Sequence, residues 1–299
     1  MPDTNATVTA TYSRRMRLLL DTGQEVGARI HGKKLKTVCA DRVRAEPIPG
    51  EPDWLITEIG VRRNVLDRPD SRGNTEVLAA NIDRLVIVAA GLPKPDWFVL
   101  DRYLCAAELM PAGALIVFNK SDHELPAGAA DALAVYTALG YELLNTSATT
   151  GHNLAELGAM LGSSTALVVG QSGVGKSSII NIISDGAELR TSAVSNKTRE
   201  GKHTTVNSIM LPTAAGGSII DSPGVRDYAP VFRSQSEVQA GFIEIQTAAT
   251  GCRFANCLHL REPDCAVKSG VERGKIAARR YESYRRAVVL AERAQKKYR

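Results

Sequence analysis

The chain has 299 residues, 44% apolar and 23% charged, ordinary figures for a globular protein with a full hydrophobic core and roughly two or three domains. No apolar run approaches the roughly 18 residues needed to cross a bilayer, "LVIVAAGL" (85–92) being among the longest, which argues against a membrane protein. The amino-terminal "MPDTNATVTATYSRRMRLLLDTG" carries only a short apolar patch, cut off by Asp21, so no signal peptide is expected and the chain reads as cytoplasmic.

Net charge is +5 but unevenly placed: residues 273–299 hold ten Lys/Arg against two Glu, about +8, which leaves about −3 on the remainder. A localised basic segment on a near-neutral body points to a polyanionic partner.

Residues 5–70 contain short β-type pieces, "RMRLLL", "EVGARI", "KTVCA" and "WLITEI", separated by Gly, Pro and Asp. This spacing predicts a small antiparallel barrel of the oligonucleotide-binding type, with basic fragments at 29–36 and 60–68. From about residue 80 the rhythm changes. Near-continuous apolar runs at 83–90, 113–120, 141–148, 165–170 and 216–224 read as strands buried on both faces of a parallel sheet. Helical patterns at 100–109, 127–139, 154–161 and 176–183 alternate with them, which predicts a doubly wound α/β domain. Beyond about 235 the pattern is helical, interrupted by the Cys-rich 252–265 and ending in a basic helix or helix pair over 275–297. The expected division is 1–75, 76–235 and 236–299.

"GQSGVGKSS" (170–178) fits the phosphate-loop pattern G-x-x-x-x-G-K-[ST] between a predicted strand and helix. Gly170, Gln171, Ser172, Gly173, Val174 and Gly175 would turn backbone N–H groups onto phosphates. Lys176 would add a point charge, and Ser177, followed by Ser178, would ligate Mg²⁺. "NKSD" (119–122) selects the base. The Asp122 carboxylate can accept from both N1–H and the 2-amino group of guanine, donors that adenine lacks. The Lys120 stem would lie over the base beside Ser121, while Asn119 braces the neighbouring loop. Ser147 and Ala148 of "TSA" suit backbone contacts to guanine O6. The nucleotide is therefore GTP.

"DSPG" (221–224) follows, with Asp221 holding Mg²⁺ through a water and the Gly224 N–H reaching the γ-phosphate; "GKHTT" (201–205) offers Thr204 or Thr205 as a switch ligand. Val225 stands where many GTPases carry a water-orienting Gln, leaving His203 as the candidate catalytic group. The motif order, with guanine recognition ahead of the phosphate loop, is that of a GTPase sheet circularly permuted. Cys252, Cys257, His259 and Cys265 supply three thiolates and an imidazole for one closed, tetrahedral structural Zn²⁺ site. Cys39 and Cys105 stand alone and read as buried small hydrophobes.

Together, "NKSD", "TSA", "GQSGVGKSS", "GKHTT", "DSPGVR" and "CRFANCLHLREPDCAV", in that order, resemble the RsgA (YjeQ) family of ribosome small-subunit-dependent GTPases along nearly the whole chain. The resemblance implies an oligonucleotide-binding barrel, a permuted GTPase domain and a carboxy-terminal zinc domain. It also implies a protein binding GTP/GDP, the small ribosomal subunit and its rRNA, assisting subunit maturation and hydrolysing GTP faster when bound there. A monomer is expected. Two other readings fit the residues: a GTPase acting on another RNA, and a non-enzymatic RNA-binding assembly factor gated by nucleotide.

Overall fold

The computed structural model describes residues 4–13, 15–30, 36–69, 74–184, 206–222, 225 and 230–297. Five strands, β1 (Thr4–Tyr12), β2 (Met16–Leu20), β3 (Glu25–Ile30), β4 (Arg42–Pro47) and β5 (Trp54–Ile59), run in the order β1-β2-β3-β5-β4 and close through a β1–β4 pairing. Alternation drives closure: Ala6, Val8, Leu18, Leu20, Val26, Ala28, Val43, Ala45 and Ile56 point inward and are buried. The piece "KTVCA" is not a strand. Ala40 there sits at φ 67, outside the β region, and Cys39 turns into the core shared with the following domain. The first strand is instead β1, whose Thr and Asn residues had masked its inward row of small apolar side chains.

A hairpin, β6 (Val65–Pro69) and β7 (Thr75–Ala80), leads into the second sheet. Its strands β8 (Arg84–Ala90), β9 (Gly113–Asn119), β10 (Glu142–Asn145), β11 (Thr165–Gly170) and β13 (Ser218–Asp221) are parallel, in the order β10-β9-β8-β11-β13. Both faces are covered. Leu85 and Ile87 meet α1 (Trp97–Leu109) and α2 (Ala129–Ala138), whereas Val86 and Val88 meet α3 (Leu154–Leu161) and α4 (Lys176–Ile183).

Strand β12 (Val206–Pro212) joins the two sheets. It is antiparallel to β13 on one side and to β1 of the barrel on the other, with Ala10 opposite Ile209 and Thr11 opposite Ser208. Among the described residues, barrel and α/β sheet thus form one continuous hydrogen-bonded surface of eleven strands.

The carboxy-terminal part contains α5 (Gln235–Ala240), α6 (Ile243–Ala249), α7 (Ala266–Glu272) and one long helix α8 (Ala278–Lys297), not a pair. It packs on α1 so closely that a Cβ on Gly241 would lie 2.1 Å from Cys105 Sγ. Asp101 of α1, fully buried, accepts from Arg280 Nη1 (3.0 Å), Arg279 Nη1 (3.0 Å) and Tyr136 Oη (2.6 Å). Arg280 also donates to both oxygens of Glu244, at 2.7 and 3.0 Å, with its guanidinium 4.5 Å from the Phe242 ring centre. Two of the ten basic residues of 273–299 therefore face Asp101 in the interior, and the outward charge is smaller than the sequence count.

Candidate nucleotide site and metal centre

The chemical motifs meet where β8, β9, β10, β11 and β13 end, the edge of a parallel sheet at which ligands bind. Gly170 has φ 135, and a Cβ there would lie 2.1 Å from Val88 O; Gly175 has φ 96, and its Cβ would lie 2.3 Å from Asn119 Nδ2. Only glycine permits both the backbone angle and the approach. Lys176 opens α4, is nearly buried, and donates through Nζ to Gly170 O and Gln171 O, each at 2.7 Å. The ammonium thus lies across the loop mouth. Val174 anchors the loop from beneath, fully buried, while Ser172, Gly173 and Ser178 are exposed.

Asn119, at the end of β9, ties three segments together. Its Nδ2 donates to Val174 O at 2.8 Å, and its Oδ1 accepts from Ala148 N at 3.1 Å and Thr146 Oγ1 at 3.3 Å. Lys120, at φ 63, donates through Nζ to Leu92 O and Gly173 O, both at 2.8 Å, so its stem spans from the base-side loop to the phosphate loop. Ser121 N donates to Thr146 O at 2.9 Å. The Ser147 side chain, hydrogen-bonded to the Asp122 carboxylate, holds Asp122 below the usual carboxylate range, so it is a pure acceptor at neutral pH. Gln171 Oε1 accepts from Asp96 N at 3.1 Å, a brace from the loop before α1 that the motif pattern does not encode.

Ser177 lies in the first turn of α4, and Asp221, nearly buried, ends β13 beside β11. A hydroxyl and a carboxylate are the hard oxygen donors Mg²⁺ takes together with phosphate oxygens. His203, Thr204, Thr205 and Gly224 lie outside the described residues. Val225 is fully buried in the core on the α1 face, and its carbonyl accepts from Tyr103 Oη at 3.4 Å. Its side chain faces hydrocarbon, so it neither binds nor orients a water.

The Cys and His cluster forms the second centre. His259 Nδ1 lies 3.5 Å from Cys252 Sγ and 3.4 Å from Cys265 Sγ, those two sulfurs are 3.9 Å apart, and all four ligand atoms lie within 4.8 Å of one another. A tetrahedron with metal–sulfur and metal–nitrogen bonds of about 2.3 and 2.0 Å spaces its corners by roughly 3.5–3.8 Å, so the donors present fit one metal ion and leave no open position. Burial holds the His259 imidazole below its ordinary pKa, which favours the neutral form that a metal ligand needs.

Sequence reading missed what shapes this loop. The Glu262 carboxylate accepts from Leu258 N (2.9 Å), Leu260 N (2.9 Å) and Arg261 N (3.0 Å), while Tyr281 and Tyr284 of α8 donate to the carbonyls of His259 and Leu258. Burial alone would raise the Glu262 pKa; these N–H donors bring it down to about 2. A glutamate in a polar loop carries no signal of such a role.

The family profile of the RsgA GTPase matches residues 59–229. The small ribosomal subunit biogenesis GTPase RsgA of Azotobacter vinelandii is 44% identical over 227 residues, covering 75% of this chain and 66% of that protein. The protein of the same name from Haemophilus influenzae strain 86-028NP is 40% identical over 237 residues, covering 78% and 68%. The matched region thus spans about two thirds of the length of these relatives. Among solved structures, YjeQ from Thermotoga maritima superimposes with a TM-score of 0.78 at 27% identity, covering 97% of this chain and 99% of that one. YloQ, described as a circularly permuted GTPase, has the same fold with a TM-score of 0.73 at 23% identity, covering 98% and 96%. Profile, relatives and fold agree with the permuted motif order read along the sheet: the chain is a circularly permuted GTPase belonging to the RsgA family.

Proposed function

We propose that this chain acts in ribosome biogenesis, binding GTP and the small (30S) ribosomal subunit during its late maturation, and that the subunit accelerates hydrolysis. The observation that carries the nucleotide reading is Asn119. Its amide braces the phosphate loop through Val174 and the base-side loop through Ala148, so base and phosphate recognition form one rigid unit. Asp122 would accept from the guanine edge, the Lys120 stem would cover the base, and residues 170–178 with Lys176 would hold the phosphates. Mg²⁺, held by Ser177 and Asp221, would neutralise charge developing between the β- and γ-phosphates. The names of the relatives support the ribosomal partner. So does charge placement: Arg29, Arg42 and Arg44 of the barrel are each paired with an acidic residue, whereas Arg293 on α8 is exposed and forms no salt bridge among the described residues.

In this reading the four-ligand centre holds structural Zn²⁺, the chain divides into domains at 1–75, 76–235 and 236–299, and the protein works as a cytoplasmic monomer. His203, brought to the γ-phosphate on the subunit, would align the attacking water that Val225 cannot. The test is GTP turnover with and without purified small subunits. Turnover that rises with subunit concentration supports the reading, and an unchanged rate removes it.

A further inference from the structure

The phosphate loop is held from outside its own motif by the segment that leads into α1. Gln171 Oε1 accepts from Asp96 N at 3.1 Å, and Asp96 in turn caps α1, its Oδ1 accepting from Val99 N at 3.1 Å. Two further contacts pin the same segment. Lys120 Nζ bridges Leu92 O and Gly173 O, and Gly173 backs onto Pro93, whose Cδ lies 3.5 Å from where a Cβ on that glycine would sit. Residues 92–96 and 171–173 are therefore tied at three points, with Pro93 and Pro95 stiffening the outer segment.

The far end of this link belongs to the carboxy-terminal part. Trp97, the residue after Asp96, has the Arg279 guanidinium carbon 5.5 Å from its ring centre, and Tyr136 has it at 4.9 Å. Arg279 Nη1 donates to Asp101 Oδ2 at 3.0 Å, one turn along α1, while its buried Nη2 has no hydrogen-bond partner among the described residues. Ring contacts and one ion pair thus seat this arginine of α8 on the first turn of α1. Gln171, Asp96, Trp97 and Arg279 form an unbroken run from the phosphate loop to the carboxy-terminal part. The pattern G-x-x-x-x-G-K-[ST] does not require glutamine at its first variable position, because backbone N–H groups, not that side chain, turn onto the phosphates. The hydrogen bond of this side chain goes instead to the amide of the α1 cap.

We propose that Gln171 is a positioning residue that couples the hold on bound nucleotide to helix α1 and, through Trp97 and Arg279, to the carboxy-terminal part. While Arg279 grips α1, Gln171 keeps the first turn of the loop against Asp96 and the phosphates leave slowly. When that grip loosens, the loop opens more often and release quickens. The link rests on the nucleotide reading of residues 170–178, which the experiment tests separately. Release of a fluorescent GDP analogue is followed by stopped flow from the full chain, purified with its metal, and from Gln171→Met, Arg279→Met and the double variant. Methionine removes the acceptor at 171 and the cation at 279 while keeping an unbranched side chain. Each single variant should release GDP about two- to tenfold faster, the fold equivalent of one neutral hydrogen bond. The double variant should be little faster than either single one, because both cut the same link, whereas independent packing defects would multiply. Unaltered melting excludes misfolding. The wild type supplies a second measurement that no substitution can spoil: GDP should slow amide hydrogen exchange in the peptide spanning 93–100. Release from Gln171→Met at the wild-type rate, effects that multiply in the double variant, or exchange at 93–100 indifferent to GDP each overturns the proposal. A wild type that binds no GDP removes the nucleotide reading itself, and the proposal with it.

Discussion

The hydroxyl of Ser208 donates to that of Ser222 across 2.8 Å, and both side chains are buried. Ser208 sits on β12 opposite Thr11 of the barrel, and Ser222 directly follows Asp221. The barrel's first strand is thus two contacts from the segment expected to sense the γ-phosphate. Ser208→Ala and Ser222→Ala should each cost about 1–3 kcal/mol, because each removes one side of a buried hydroxyl–hydroxyl hydrogen bond. The double variant should cost less than the sum by about 0.5–1.5 kcal/mol. A double-mutant cycle by denaturant unfolding checks this, and strict additivity would mean that the pair does not couple the strands.

Much of the α/β sheet was legible because strands buried on both faces leave uninterrupted apolar runs: 83–90 and 165–170 coincide with β8 and β11 to within a residue. The barrel was less so. β1 buries Ala6, Val8 and Ala10, side chains too small to stand out between threonines, and β12 becomes a strand through partners nearly 200 positions away in β1. The three cysteines and the histidine that the fold gathers within 4.8 Å of one another were legible as residue types at short spacing, but Glu262, Tyr281 and Tyr284, which shape their loop, were not. The basic tail misled in part, since nothing local marks Arg280 as the partner of Asp101.

That pair yields a second prediction. Arg280→Ala leaves Asp101 and Glu244 buried without their shared cation, which should destabilise the chain by roughly 3–5 kcal/mol. Arg280→Met, retaining the stem, should lose less than Arg280→Ala. Thermal melting of the two variants decides it, and equal small losses would make the network ornamental to stability.

Cys39 and Cys105 are fully buried, and burial pushes the Cys39 thiol up to about 12 and that of Cys105 higher still. A raised pKa keeps both as unreactive thiols at pH 8. Alkylation followed by mass spectrometry should leave both unlabelled in the native protein and label both after denaturation. Rapid native labelling of either would contradict the packing.

Cys257→Ser removes one corner of the metal tetrahedron. The purified wild type should carry about one Zn²⁺ per chain. The variant should lose most of it, and the loop 252–265 should become protease-sensitive while nucleotide binding stays, because the metal supplies that loop's folding energy. A variant that keeps its metal and its loop would show that the three remaining donors suffice.

Asp122→Asn exchanges one acceptor oxygen for a donor at the guanine edge. A lost charge-assisted hydrogen bond is worth roughly 1.5–3 kcal/mol, so GTP affinity should fall about tenfold or more while a xanthine nucleotide gains relative affinity. Titration with both nucleotides is the measurement, and unchanged GTP affinity would place base recognition elsewhere.

The central claim is that the small subunit switches on hydrolysis. Steady-state GTP turnover of the wild type, His203→Ala and Lys176→Ala, with and without purified small subunits, tests it most directly when nucleotide affinities are measured alongside. The wild type should turn over slowly alone and about 10²–10⁴-fold faster with subunits, the range for a positioned general base or hydrogen-bonding group. His203→Ala should lose most of that stimulation at unchanged GTP affinity, and Lys176→Ala should lose affinity itself. A wild-type rate that subunits leave unchanged would contradict the account.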